Sequence, residues 1–515
     1  MKPMFYAARL AAVTMLCLPI AMNPARAGSD LTVAVSRDRY SVDEQKFSFT
    51  TRCPAAQIVE TAVRPDKNFL PSPLLFEGWT YEKGTYTVTL REGVTFSDGS
   101  ALNADSTIAA LRLYDQGKSN FLQIDQASFE KLGDYKISFQ SETGSALVIE
   151  NMTHRATSLF GPSENWSENP IGTDPYLLGS YDLNQQFTVV RNDSYWGDAP
   201  AIDKLTFRFI ADDNARMLAL QNGEIDVIGE VTPQILLSML QDGSVVLHES
   251  RPIRYVAMMT NINGVAPFDI MQDRNVREAL AWAIDRETIA TVLYAGRGEP
   301  AKGILPGWMF NLGDDHTDGF GYDPEKAAAL LDAAGWIMGD DGVRERDGRS
   351  LSLRLVAAYP NVSTVKPMPE MLEQMFAGIG VDIDLVEVGD SGVYGSTYLD
   401  TGEADLCLEF ASNNNTDPTY LLNNLFTTTT PWGGYKFFAP GPHVDALLSN
   451  ARQAQTRQEV VDGVRAAHRA IVQDDLVAIP ILMVPNFALS RPGLDVPMSE
   501  YADWIDYGNV QQVSR

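Results

Sequence analysis

The segment Thr85-Tyr86-Thr87-Val88-Thr89-Leu90 continues as Arg91-Glu92-Gly93-Val94-Thr95-Phe96-Ser97-Asp98-Gly99-Ser100 and then reaches Asn103-Ala104-Asp105, changing its period on the way. Tyr86, Val88 and Leu90 alternate with threonines, the repeat of a strand with one buried face. Ser97-Asp98-Gly99-Ser100 is turn chemistry. Asn103 and Asp105 open a helix whose apolar positions are Ile108, Leu111 and Leu113. Strand, turn and helix in succession predict an α/β chain. The same punctuation recurs outward from this stretch. Phe187–Val190 and Leu205, Phe207 and Phe209 predict strands, Asn214–Asn222 a helix stopped by Gly223, and Ile225–Ile228 a short buried strand. Arg274–Tyr294 reads as one long helix or a helix pair closed by Gly296. Asp323-Pro324-Glu325 starts a helix that runs to Ala334. Leu351, Leu353 and Leu355 predict a strand, Met368–Ala377 a helix, and Val381, Ile383 and Leu385 a further strand. Leu476–Val484 is apolar and β-like, interrupted by Pro480 and bounded by Pro485.

At 515 residues the chain is too long for one ordinary core, so two or more domains are expected. Its formal charge of −27 repels phosphate backbones and anionic lipid heads, which argues against nucleic acid and membrane surfaces as partners. Lys2 and Arg9, the apolar run Leu10–Met22 and Ala25-Arg26-Ala27 predict an export signal over residues 1–27, cleaved before Gly28. The run is about 13 residues, where a spanning helix needs roughly 20. Leu16 before Cys17 is the wrong neighbour for a lipid-carrying cysteine, so a freely exported chain is expected rather than a lipoprotein. Cys53 and Cys407 are expected as separate buried thiols.

The usual signs of catalysis and metal binding are missing. His154, His248, His316, His443 and His468 form no zinc-type pair. The acids of Gly339–Gly348 lack calcium-loop spacing and read as a charged hairpin. Gly389-Asp390-Ser391-Gly392 is not a nucleophile elbow, and no phosphate-binding Gly-x-x-x-x-Gly-Lys-Ser/Thr loop occurs. No catalytic residue, cofactor or directly bound metal is expected.

Five stretches, taken in order, carry a family resemblance. They are Trp79-Thr80 with Tyr86–Gly99; Ile171-Gly172-Thr173-Asp174-Pro175-Tyr176 with Val190–Gly197; Asn222-Gly223-Glu224-Ile225-Asp226; Val276–Arg286; and Tyr322–Ala327 leading to Gly335-Trp336. Together they resemble the peptide/nickel class of extracellular solute-binding proteins, family 5, with Pro170–Gly229 most similar to the nickel-type receptors. Most of these residues read as scaffold. Gly93, Gly99 and Gly197 are expected to hold backbone shapes that side chains resist, and Tyr195 and Trp196 to pack rather than touch a ligand.

The resemblance implies a two-lobed α/β periplasmic-binding-protein fold, class II-like and of the large cluster, with a hinge and a ligand cleft between the lobes. The first lobe would hold residues 28–252 plus 485–515 and the second 253–484. The chain would act as a monomer that delivers its ligand to the permease subunits of an ABC importer, whose ATPase supplies the energy. Lys118, Phe121 and Arg155 fall in segments that reach the cleft in relatives, and the fork of Arg155 suits a ligand carboxylate. From the second lobe, Asn413, Asn414, Asn415 and Thr416 form an uncharged polar wall before Asp417-Pro418. Trp432 and Tyr435 offer stacking surfaces. Peptide receptors of the class carry an aspartate at the place of Asn414, and nickel receptors a tryptophan, a tyrosine and a histidine at the places of Ser412, Thr416 and Thr430. Three cargoes therefore stay open: a small peptide, a metal chelate, and another organic solute.

Overall fold

The structure is a computed structural model and describes residues 29–36, 57–113, 122–162, 169–358, 367–428, 440–499 and 505–513. The export signal, Cys53, Lys118, Phe121, Trp432 and Tyr435 lie outside them.

Two large sheets organise the chain. The first has seven strands in the order Val246–Glu249, Phe487–Ser490, Val227–Ile228, Asp30–Val35, Lys204–Phe209, Gln186–Arg191 and Tyr176–Asp182. Asp30–Val35 runs parallel to both of its neighbours, pairing Val33 with Phe207 on one side and Val227 on the other. A strand flanked and covered on both sides reads as a nearly continuous apolar run, as Leu31-Thr32-Val33-Ala34-Val35 does. The segment whose period changes belongs to a separate antiparallel sheet of four strands: Phe76–Glu82, Thr85–Leu90, Lys136–Ser141 and Ile124–Gly133. Tyr86, Val88 and Leu90 face its core, and the helix Ala104–Leu113 follows as expected.

The second large sheet has six strands in the order Glu299–Pro300, Ala478–Val484, Arg254–Thr260, Leu406–Ser412, Ser352–Ala358 and Asp382–Val388. Pro480 sits inside Ala478–Val484, where it cannot donate to a neighbour. The pairing with Arg254–Thr260 slips at that point, between Val256 and Ala257. The carbonyl of Pro480 instead accepts from Nε of the buried Arg286 at 2.9 Å.

Arg274–Tyr294 resolves into two helices, Arg274–Ala283 and Arg286–Tyr294. Asp273 and Asp285 cap them by accepting from the Asn275 and Thr288 amides. Asp323 caps Pro324–Ala333 in the same way, through the Lys326 amide at 2.9 Å. The acidic stretch 339–348 lies in a small three-stranded sheet with Ile337–Met338, Arg344–Arg346 and Arg349–Ser350. Cys407 is a buried free thiol.

The chain passes between the large sheets twice. It leaves the first at Glu249 and enters the second at Arg254, then returns between Val484 and Phe487. Both crossings contain a proline, Pro252 and Pro485, and each proline removes one amide donor from the ladder. The crossings nevertheless stay paired. Ser250 N donates to Asn486 O at 3.0 Å, Asn486 N to Ser250 Oγ at 2.9 Å, and Ile253 N to Val484 O at 3.3 Å. A two-stranded ribbon thus connects the sheets. Beside it, Pro233–Asp242 packs on Arg286–Tyr294, and Phe487 stacks on Tyr294 with ring centres 6.5 Å apart. One apolar cluster runs through this side from Leu236 and Leu489 to Leu280 and Leu482.

Candidate functional site

The chain around Glu60 is held by contacts from distant segments. Gly172 lies against it so closely that a Cβ there would come 2.0 Å from the Ile58 carbonyl oxygen. Only glycine fits at that approach. The next residue, Thr173, donates to Glu60 Oε2 at 2.7 Å, and Trp196 Nε1 donates to the same oxygen at 2.9 Å. Tyr195 OH donates to Glu60 Oε1 at 3.3 Å. Burial pushes the Glu60 carboxyl up to about 7, although these three bonds and the Arg64 charge pull the other way. The C-terminal segment closes the other side. Gln57 Nε2 donates to Asp506 Oδ1 at 2.9 Å, and Asn509 Nδ2 donates to Asp506 Oδ2 at 2.8 Å.

These segments surround a cavity of about 390 Å3. Glu60, Arg64, Asp174, Tyr195 and Asp506 line it from the first sheet's side, together with Thr153 and Arg155. Among the described lining residues, Asn414 is the contribution from residues 254–484. Arg155 opens the short 3-10 turn Arg155–Thr157, and the buried His154 before it accepts the Ala156 amide through Nδ1 at 3.1 Å. Burial, and then the neighbouring Arg155 charge, lower the His154 ring to about 3, so it stays neutral and keeps accepting.

Of the nine side chains expected from sequence, Arg155 and Asn414 meet at this cavity. Asn413, Asn415 and Thr416 do not line it. They are buried, and the last two bind the opposite half of the chain. Thr416 N donates to Thr153 Oγ1 at 2.8 Å, and Asn415 Nδ2 donates to Asn151 Oδ1 at 3.1 Å. Arg457 Nη1 adds an ion pair with Glu150 Oε1 at 3.0 Å. Burial raises the Glu150 carboxyl to about 7 against the Arg457 charge. The wall is therefore a polar latch with one residue, Asn414, turned into the cavity. Lys118, Phe121, Trp432 and Tyr435 fall outside the described residues.

Tyr195 and Gly197 depart from their sequence reading. Tyr195 reads in sequence as a packing residue, yet it lines the cavity. Gly197 does not need a left-handed backbone, as Gly93 and Gly99 do. Its constraint is space, because a Cβ would meet the Tyr195 ring at 2.7 Å. Glu60, Asp174 and Asp506 also line the cavity, and no sequence motif marks them as site residues. The one local signal was an acid in the turn Gly172-Thr173-Asp174-Pro175 between apolar Ile171 and Tyr176.

Two α/β halves joined by a ribbon, with a charged cavity where segments of both meet, define a receptor that encloses a solute between lobes. The chain belongs to the bacterial extracellular solute-binding proteins, family 5, whose middle region matches residues 71–432. It is 26% identical over 472 residues to the nickel-binding periplasmic protein of Escherichia coli (strain K12), with 86% of each chain covered. It is 27% identical over 457 residues to the dipeptide-binding protein of the same organism, with 82% of each covered. Its fold is similar to the crystal structure of NikA from Brucella suis in complex with Fe(III)-EDTA. The TM-score is 0.83 at 22% identity, covering 94% of this chain and 99% of that one.

Proposed function

We propose that this chain is the periplasmic receptor of an ABC importer and captures a small peptide or related charged solute in the cavity between its lobes. The lobes in this reading are residues 28–252 plus 485–515 and residues 253–484. The protein is a monomer, exported by a cleaved signal and not lipid-anchored, and its permease subunits read the closed form. It binds without catalysing. The carrying observation is that Arg155 and Asn414, from opposite halves, line one polar cavity. A ligand touching both favours closure, because it binds the closed form better than the open one. Arg155 takes a carboxylate with its fork, and Asn414 takes a donor or acceptor of the ligand.

A metal chelate is the second reading, supported by the nickel-binding relative and by the Fe(III)-EDTA in the similar structure. In that case the organic ligand brings the metal's donors and presents its carboxylates to Arg155.

The test is organic and elemental mass spectrometry of material co-purified from the periplasm, followed by melting curves with di- and tripeptides and with Ni(II)–histidine. Peptide stabilisation that Arg155→Gln weakens at least about tenfold supports the first reading. Stabilisation by the chelate alone supports the second, and turnover of peptide substrates would overturn both.

A further inference from the structure

The receptor reading uses Arg155 and Asn414 and leaves the acids of the cavity unexplained. Asp174 is 9% exposed, and its open surface faces the cavity. No hydrogen-bond donor reaches its carboxylate among the described residues, and Asn192 Nδ2 donates instead to its backbone carbonyl. The groups that act on it electrostatically are Glu60 and Asp506, both carboxyls. Each of these already holds its own donors: Thr173, Trp196 and Tyr195 on Glu60, and Gln57 and Asn509 on Asp506. Arg64 lines the same cavity, but its charge acts on Glu60. A buried carboxylate with neither donor nor cation is costly, and native proteins rarely keep one without a use.

The position is also fixed. Gly172 lies flush against Ile58, Thr173 is tied to Glu60, and Pro175 restricts the backbone after Asp174. A pre-set acceptor that shares a cavity with two further carboxyls fits a cation supplied from outside. An organic cation suits it better than a bare metal ion. The Glu60 oxygens are occupied by donors, and no group of three His, Cys, Asp or Glu among the described residues is placed to hold a metal.

We propose that Asp174, with Glu60 and Asp506 lining the same cavity, is a receiving site for an ammonium or guanidinium group of the ligand. This site is built from the first sheet's side of the cavity, the C-terminal segment included, and is separate in role from Arg155. The proposal rests on the receptor reading of the cavity and narrows its substrate class to molecules that carry both a cationic and an anionic group. The carboxyl of Asp174 is held well above the usual range, first by burial and then by Glu60 and Asp506, so a bound cation would displace a proton there.

The experiment compares agmatine and 1,4-diaminobutane with uncharged 1,4-butanediol, by melting curve and calorimetry at pH 7.5 and low salt. The cations are expected to raise the melting temperature and the diol to leave it unchanged. Asp174→Asn is expected to weaken agmatine binding about tenfold or more, because a charge-assisted bond becomes a neutral one. Asp506→Asn should weaken it less. Asp174→Asn removes a repulsion and should fold at least as well as the parent. Cations and diol acting alike, or undiminished agmatine binding by Asp174→Asn, would overturn the site. Dipeptides titrated in parallel separate the two proposals. If they bind the parent and Asp174→Asn equally, the cation site fails and the receptor stands. If agmatine binds and no peptide does, the peptide reading fails and the site stands.

Discussion

The two sides of the junction between the halves are built from opposite materials. Beside the ribbon, Leu236, Met239, Leu280, Ile289, Leu482 and Leu489 form one apolar layer across both halves. Near Asn414 the contacts between the halves include amides, hydroxyls and an ion pair: Asn415 to Asn151, Thr416 to Thr153, Arg457 to Glu150. Apolar surface loses heavily when it is exposed to water, at roughly 25 cal/mol per Å2. A hydrogen bond exchanged for one to water costs only about 1 kcal/mol net. The junction can therefore open on its polar side while the apolar side stays joined. The composition of the two sides sets where motion is cheap.

Phe69 and Leu147 carry apolar surface of the first half into the second half's core, and Phe69 gives the sharpest break of this comparison. It belongs to the first half yet sits in the second half's core beside Phe310, with ring centres 5.5 Å apart. Phe69→Ala should cost about 3–5 kcal/mol if that contact is part of the fold. If it belongs to the closed state only, urea unfolding will change little and the radius of gyration from scattering will grow. Leu236→Ala, on the apolar side, should cost about 2–5 kcal/mol in urea unfolding and leave the particle dimensions alone. A change of shape there would contradict the assignment of the two sides.

Glu150 sharpens the comparison through pH. Its folded value of about 7 lies above the ordinary 4.5, so the folded state holds the proton more tightly than the unfolded one. Its contribution is favourable below 4.5 and is lost as pH rises through about 7, over a range of up to about 3 kcal/mol. Glu150→Gln should flatten the fall in stability between those values, read as melting temperature against pH. The smallest effect is expected from Thr416→Val, which removes hydroxyl bonds to Thr153 and the Glu150 carbonyl. About 1 kcal/mol is the expected cost in urea unfolding.

The same division governs what could be read in advance. The strands and helices were legible because periodicity and caps are local. The alternation at Tyr86, Val88 and Leu90 and the Asp323-Pro324 helix start fell where expected. The family resemblance around Asp417-Pro418 points to Asn413–Thr416 alike, and Asn414 is the one of them that lines the cavity. The neighbouring Asn413, Asn415 and Thr416 look no different in sequence, and their burial depends on partners more than 260 residues away for Asn415 and Thr416. Glu60, Asp174 and Asp506 come together from three remote segments, so no spacing rule reaches them. Tyr195 faces the cavity through a ring whose hydroxyl holds Glu60, a double duty that sequence pattern does not encode.

The paired crossings at Ser250–Ile253 and Val484–Asn486 have a mechanical meaning. A strap two strands wide yields readily across its flat and resists bending along its edge. The proline in each strand removes a rung from the strap and so lowers its resistance to bending there. The direction in which this molecule opens its mouth is thus written into the plane of those two chains, before any solute arrives.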